Sequence, residues 1–306
     1  MPLRLFLLAF VLLVTGAAAQ PAPKFVQLYA RDPSDLTAVD YVIDRQDGHD
    51  IRLVIYTPKA AGVFPAILEI HGGGWHERQV ENDRVMAERL AERGFIVALV
   101  DYRLSIEAHY PAALWDCKTG VRYLRAHARE LRLDPARIGA MGGSAGGHLV
   151  GLLGTTNDVP HFEGSGPYRD QSSAVQAVIV MAAPMDVDRA SKPKTAQTTI
   201  DFFGCTESEN PEIYREASPL FHVGASTPPL IFIEGEKDSV KIGRREMQDK
   251  LTSLGVETAL YTLKDAPHPF WMSDPWVDQV VEIAAGFFHR HLDPVKPDAS
   301  PTAGAH

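Results

Sequence analysis

The sequence predicts an α/β fold: a mostly parallel, doubly wound sheet with an antiparallel hairpin at its N-terminal edge. Three observations carry this expectation. Short apolar runs alternate with stretches of helical spacing from residue 65 to residue 292, the rhythm of successive βαβ units. The runs at 65–70, 95–100, 175–181 and 229–234 are apolar at nearly every position, as strands covered on both faces must be. Residues 138–148 read I-G-A-M-G-G-S-A-G-G-H, a serine held in G-x-S-x-G between an apolar run and a helix start. Strand, tight turn and helix are the setting in which that pattern makes a nucleophile elbow.

Taken in order, residues 1–19 stand apart. Arg4 gives a positive start, residues 5–14 an apolar run, and Ala17-Ala18-Ala19 a small-residue cleavage site. This predicts a secretory leader cut after Ala19, an exported protein (periplasmic or secreted) starting at Gln20, and one domain over 20–292. Residues 39–44 and 51–57 alternate around the turn-forming Gln46-Asp47-Gly48-His49, which predicts the hairpin. The buried strand at 65–70 runs into His71-Gly72-Gly73-Gly74-Trp75. A helix is expected over 81–93, ending before Gly94, and a central strand over 95–100, ending in Asp101-Tyr102-Arg103-Leu104. One long helix is expected over 111–131, with Leu114, Val121 and Leu124 on one face. The elbow strand and helix follow. Residues 155–172 are polar and rich in Gly and Pro and read as loop. After the strand at 175–181, residues 191–221 break the rhythm with two helical patterns, 195–203 and 210–217, and no strand. They predict a small helical lid over the carboxyl edge of the sheet. A strand at 229–234, a helix at 242–254, a strand at 257–263 and a helix at 276–292 complete the domain. Residues 293–306, rich in Pro and Ala, are expected to be a disordered tail.

Hydrophobic residues make up 45% of the chain and charged residues 23%, enough apolar content for a sizeable core. The formal net charge of −9, or −10 once Arg4 leaves with the leader (29 − 39), argues against nucleic acid or an anionic membrane as partner. Past the leader no run is apolar enough to span a bilayer. With only Cys117 and Cys205 present, export permits a disulfide, but Cys117 lies in an expected helix, where a buried thiol is the commoner state. No H-E-x-x-H, no P-loop and no dinucleotide fingerprint occurs, so neither metal nor cofactor is expected.

A serine hydroxyl needs a base to take its proton, and the base needs an orienting carboxylate. In chain order the partners follow on loops after later strands. Asp238 lies just past the strand at 229–234. His268 follows the last strand, fixed between Pro267 and Pro269. Ser144, Asp238 and His268 are therefore the candidate catalytic residues, with Glu234, Glu236 and Asp265 as competing acids. The oxyanion of a tetrahedral intermediate needs preorganised N–H donors. Ala145, next to the serine, supplies one, and Gly73 and Gly74 are the candidates in the 71–75 loop. His71 is expected to brace that loop.

The motifs H-G-G-G-W (71–75), D-Y-R-L (101–104), D-C-K-x-x-V-R-Y-L-R (from 116), D-P-x-R-I-G (from 134) and G-G-S-A-G-G-H (142–148) together resemble the α/β-hydrolase esterases. More narrowly they resemble the hormone-sensitive-lipase-like branch containing bacterial carbohydrate esterases of acetylxylan and feruloyl type. The similarity runs from about residue 40 to 292 and includes the 202–219 segment. It departs from that branch at Gly143, where Asp or another polar residue usually precedes the serine, and at Pro267-His268-Pro269-Phe270, usually Gly-His-Gly-Phe. The resemblance implies a cofactor-independent ester hydrolase acting through an acyl-enzyme on acylated plant polysaccharides or oligosaccharides. Trp75, Trp271, Phe202 and Phe203 are expected substrate contacts. The other readings are a general carboxylesterase on small aliphatic esters, a formamidase- or peptidase-type hydrolase, and an inactive binding module.

Overall fold

The computed structural model describes residues 35–190 and 196–293. The leader with its cleavage point, residues 191–195 of the expected lid and the tail beyond Asp293 lie outside the described residues.

Among the described residues, eight strands form one sheet in the order β1-β2-β4-β3-β5-β6-β7-β8. The hairpin is β1 (Leu36–Gln46) and β2 (His49–Pro58), paired from Gln46 opposite His49 outward. Its two-residue loop has φ 51° at Asp47 and 85° at Gly48, the doubly left-handed geometry that matches strand twist and suits Asp-Gly. β2 runs antiparallel to β4 (Ile96–Asp101). From there the sheet is parallel through β3 (Phe64–Ile70), β5 (Leu133–Gly143), β6 (Ala177–Met181), β7 (Leu230–Gly235) and β8 (Thr258–Leu263). Successive side chains of a strand point to opposite faces. Leu68 and Ile70 accordingly join one core with Leu114, Val121 and Leu149, while Ile67 joins the other with Met141, Val280 and Phe288.

Helices cover both faces. The expected 81–93 helix is a 3-10 turn, Val80–Asp83, followed by α1 (Arg84–Ala91). The expected 111–131 helix is two pieces, α2 (Ala112–Ala126) and α3 (Ala128–Leu131), parted at His127, whose ψ is 19°. Arg132 then takes a left-handed conformation, φ 59°, and the chain turns into β5. The 155–172 segment is a loop apart from one turn at Pro160–Phe162, and α2 pins it down. The fully buried Lys118 ammonium donates to the Thr156 carbonyl at 2.6 Å and to Glu163 at 2.8 Å, and Arg122 reaches the same carboxylate at 2.8 Å.

The lid differs in detail from its expectation. Three short helices are described over the expected span, where two were expected: α6 (Ala196–Phe203), α7 (Pro211–Glu216) and α8 (Pro219–His222), with α5 (Val187–Ala190) just before it. α5 and α8 have one turn each, too short to show a period. Asn210 caps α7 by accepting the Ile213 N–H, with Pro211 opening the helix. The chain closes with α9 (Arg244–Ser253) before β8 and α10 (Trp276–Leu292) after it. Cys117 and Cys205 are both free thiols. Among the described residues no helix is long and apolar enough to cross a membrane.

Candidate active site

The register of the sheet sets where the site forms. Ile70 of β3 lies opposite Gly142 of β5, Gly143 opposite Met181 of β6, and Gly235 of β7 opposite Leu263 of β8. The loops after β3, β5, β7 and β8 therefore leave one carboxyl edge, where open parallel sheets bind ligands.

Ser144 sits between β5 and α4 (Ala145–Thr155) at φ 55°, ψ −120°, a conformation an L-residue holds only under constraint. The constraint is visible. Its N–H donates to the Met181 carbonyl at 2.9 Å, and its own carbonyl accepts the His148 N–H at 3.0 Å. The turn also needs α4 pressed against β3: a Cβ on Gly146 would lie 1.9 Å from the Ile70 carbonyl oxygen.

Asp238, buried past the end of β7, accepts from Nδ1–H of His268 at 2.8 Å through Oδ2. Its Oδ1 accepts the Val240 N–H at 2.7 Å, which orients the carboxylate. The competing acids are engaged elsewhere. Glu234 pairs with Arg244 at 2.8 Å, Glu236 accepts the Asp265 N–H at 2.9 Å, and Asp265 pairs with Lys237 at 2.9 Å. Ser144 and His268 line the same cavity, and no hydrogen bond joins their side chains here. Such contacts are commonly long in unliganded sites and tighten around the substrate.

The loop after β3 is braced from behind. Nδ1–H of His71 donates to the Gly72 carbonyl at 2.7 Å, and the ring stacks on Tyr102, whose hydroxyl donates to the His71 carbonyl at 3.0 Å. Burial lowers the His71 pKa to about 4, so the ring is neutral. The Ser105 N–H holds the Trp75 carbonyl at 2.8 Å, and Arg103 is tied to Asp116 of α2 at 2.8 Å. The D-Y-R-L segment thus fixes the glycine loop in place. Among the described residues, the N–H groups of Gly73, Gly74 and Ala145 donate to no protein acceptor, and all three residues border the space around Ser144.

Two lobes meet at Ser144. One, about 430 Å³, is bordered by His268 and lined by the polar side chains of His76, Glu77, Gln79 and Asn82 together with Trp271 and Met272. The other, about 270 Å³, is lined by Ala145, Trp75, Pro184, Val240 and Ile242. Gly74 and Thr198 border both, so α6 contributes to the cleft around the nucleophile. Trp75 and Trp271 therefore line the cleft. Phe202 and Phe203, also expected as substrate contacts, line neither of these two lobes. Phe202 stacks on Trp75 with centroids 4.7 Å apart and touches Phe203 at 5.1 Å, and both rings are buried. They fasten the lid to the loop. The polar wall had no sequence signal beyond its place after the glycine loop, and Thr198, Val240 and Ile242 had none.

An eight-stranded sheet of this order, with a strained serine in a strand–helix elbow at its carboxyl edge, defines an α/β-hydrolase. The chain belongs to the BD-FAE family, which it matches over residues 53–245. It is 31% identical over 182 residues to esterase LipC of Mycobacterium tuberculosis, covering 58% of this chain and 45% of LipC. A solved structure titled as a truncated carbohydrate esterase from gut microbiota is similar at TM-score 0.71 and 28% identity, over 83% of this chain and 94% of that one. A butyrate-bound esterase from Thermogutta terrifontis is similar at TM-score 0.70 and 26% identity, over 85% and 96%. The chain spans about half the length of the curated relatives it matches, 45%, 42% and 50% for the first three.

Proposed function

We propose that the protein is an exported, cofactor-independent serine carboxylic-ester hydrolase that removes acyl groups, of acetyl or feruloyl type, from sugar-linked esters. Ser144 Oγ attacks the acyl carbon while Nε2 of His268 takes its proton. Asp238 holds the imidazole with Nδ1 protonated and stabilises the imidazolium that forms. The N–H groups of Gly73, Gly74 and Ala145 receive the oxyanion, where loss of one such donor typically costs about 10²–10³ in kcat. His268 then protonates the leaving alcohol, and water, activated by the same imidazole, releases the acid and frees Ser144.

The single observation that carries the reading is the Asp238–His268 hydrogen bond beside a strained Ser144 in one cleft. The esterase relatives support the reaction class.

The alcohol half of the reading comes from the chemistry of the two lobes. The imidazole that protonates the leaving oxygen must lie on the alcohol side, so the lobe beside His268 takes the alcohol. Its wall of carboxylate, amides and imidazole suits a polyhydroxylated group. The lobe of Trp75, Val240 and Ile242 suits the acyl chain. The butyrate-bound relative favours a second reading, hydrolysis of small aliphatic esters. Turnover of acetylated and feruloylated xylo-oligosaccharides against p-nitrophenyl butyrate separates them. The sugar reading expects higher kcat/KM on the oligosaccharide esters, and preference for the butyrate overturns it. Loss of all turnover in a folded Ser144→Ala variant is expected in either case.

A further inference from the structure

A hydrogen-bond acceptor in the cleft has no part in the mechanism above. Gln79 lines the larger lobe together with Ser144 and His268. Its Nε2 donates to Oε2 of Glu77 at 3.1 Å. A carboxylate can only accept, so the NH2 end of the amide faces Glu77 and the carbonyl end is turned away from it. That end is turned towards the nucleophile. A Cβ placed on Gly72 would lie 3.5 Å from Ser144 Cβ and 3.7 Å from Gln79 Oε1, so the two atoms border one point. Among the described residues no protein group donates to this oxygen.

The segment that carries the amide is held at three places. The Gly73 carbonyl accepts the N–H groups of His76 at 3.1 Å and Glu77 at 2.9 Å. Arg78 is clamped by Asp101, at the end of β4, and by Glu107 at 2.8 Å. The Gln79 carbonyl accepts the Asn82 N–H at 2.9 Å, in the turn that leads into α1. Glu77 and Gln79 therefore stand on a preorganised loop, and little freedom is lost there when a ligand arrives.

An amide oxygen gains from a donor and from nothing else. The reacting ester group carries no donor, so the partner must belong to the alcohol. An oxygen this close to the nucleophile meets the part of the alcohol next to the bond that breaks. We infer that Gln79, oriented by Glu77, accepts a hydrogen bond from a hydroxyl on the carbon adjacent to the ester oxygen. The site thereby selects monoacylated vicinal diols over alcohols that lack the neighbouring hydroxyl. Glu77 is a positioning residue that acts through the amide. The inference rests on the reading above in which the lobe beside His268 takes the alcohol.

The test compares trans-2-hydroxycyclohexyl acetate with cyclohexyl acetate. It uses the full chain, Gln79→Met, Glu77→Ala and the double variant, with thermal melts confirming that each is folded. Both esters give the same acetyl-enzyme, so their kcat/KM values differ through acylation, while the alcohol is still in place. Intrinsic reactivity cancels when the ratio of the two values is compared between variants. The wild type is expected to favour the diol ester about 10-fold, the scale of one partly solvated hydrogen bond. Gln79→Met, of similar length but without the acceptor, is expected to cut that ratio at least five-fold. Glu77→Ala, which frees the amide to turn, is expected to cut it about three-fold. The double variant is expected to match Gln79→Met, because Glu77 acts only through Gln79. A merely loosened loop would slow both esters alike and leave the ratio standing. Should Gln79→Met fail to fold, Glu77→Ala, at an exposed position, decides alone. A wild type without preference, a ratio that survives either substitution, or a double variant that loses more than Gln79→Met would overturn the inference and leave the esterase mechanism in place. Turnover of either ester by a folded Ser144→Ala variant would instead remove that mechanism, and the inference with it. The sugar reading is judged separately, by the oligosaccharide esters, so the failures are told apart.

Discussion

The indole N–H of Trp75 donates to Nδ1 of His148 at 3.2 Å, and Nε2 of the same imidazole meets the Ala217 carbonyl at 2.6 Å. A tryptophan can only donate and a carbonyl can only accept, so His148 is held as the Nε2–H tautomer. One neutral ring, fully buried in the elbow helix, thereby ties the glycine loop to the lid. Its pKa is lowered to about 4 by burial.

That tie is sensitive to acid. The folded-state value lies below the ordinary 6.5, so the unfolded chain binds the proton more readily. The stability linked to His148 is complete above pH 6.5 and is lost as pH falls towards about 4. At about 1.4 kcal/mol per pH unit this amounts to about 3 kcal/mol. His148→Gln is expected to be less stable than wild type at pH 7.5, with the gap narrowing by pH 4.5. Urea melts at the two pH values check it, and a constant gap would count against the buried neutral ring.

Glu69 titrates with the opposite sign. Burial and the neighbouring Asp83 raise its folded pKa well above the ordinary carboxyl value, so the native state holds a proton that the unfolded chain releases. This costs nothing below about pH 4 and grows as pH rises through neutrality. Glu69→Gln, which keeps the shape without the titration, is expected to gain in Tm over wild type from pH 5 to pH 8. Thermal melts across that range measure it, and a variant that loses ground with rising pH would refute it.

The elbow geometry stores strain that glycine would relieve. At φ 55°, ψ −120° an L-residue carries about 1–3 kcal/mol of backbone strain. Ser144→Gly is expected to abolish turnover while raising the denaturant midpoint by the equivalent of about 1 kcal/mol, after the entropy that glycine adds to the unfolded chain is subtracted. A midpoint below that of wild type would show that the surroundings do not hold the serine under strain.

Gly143→Ala is the converse case. Its Cβ would meet the Trp271 ring at 2.3 Å, and overpacking of this kind costs about 1–3 kcal/mol. Combining it with Trp271→Ala is expected to recover part of that loss by opening the space, and chemical denaturation of the single and double variants decides it. Purely additive losses would mean that the two positions do not compete.

Much of this arrangement was legible in the chain, and for a physical reason. Parallel strands are buried on both faces, so the runs that form β3, β4, β6 and β7 are nearly all apolar, as is the second half of β5. Residues carrying chemistry then stand immediately after a strand end, as Asp238 and His268 do. Strand β8, half-exposed, was marked only by its place between α9 and the histidine loop. What stayed hidden depends on packing between segments distant in sequence. Nothing in the order of residues shows that Phe202 turns onto Trp75 rather than into the cleft. Nor could Gly143, seen beforehand only as a departure from the usual polar residue, announce that a ring 128 positions later fills the space beside it. The break at His127 leaves no mark in the sequence, because a helix interrupted for one residue keeps its apolar spacing on both sides.

Among the described residues, strand β8 ends the sheet and is hydrogen-bonded on one side, to β7. Rim strands fray before the interior melts, and the imidazole hangs from the far end of this one. In mild denaturant the protein should therefore fall silent as a catalyst while its circular dichroism still reports an intact fold. The last element to be added to the sheet would be the first to withdraw its contribution.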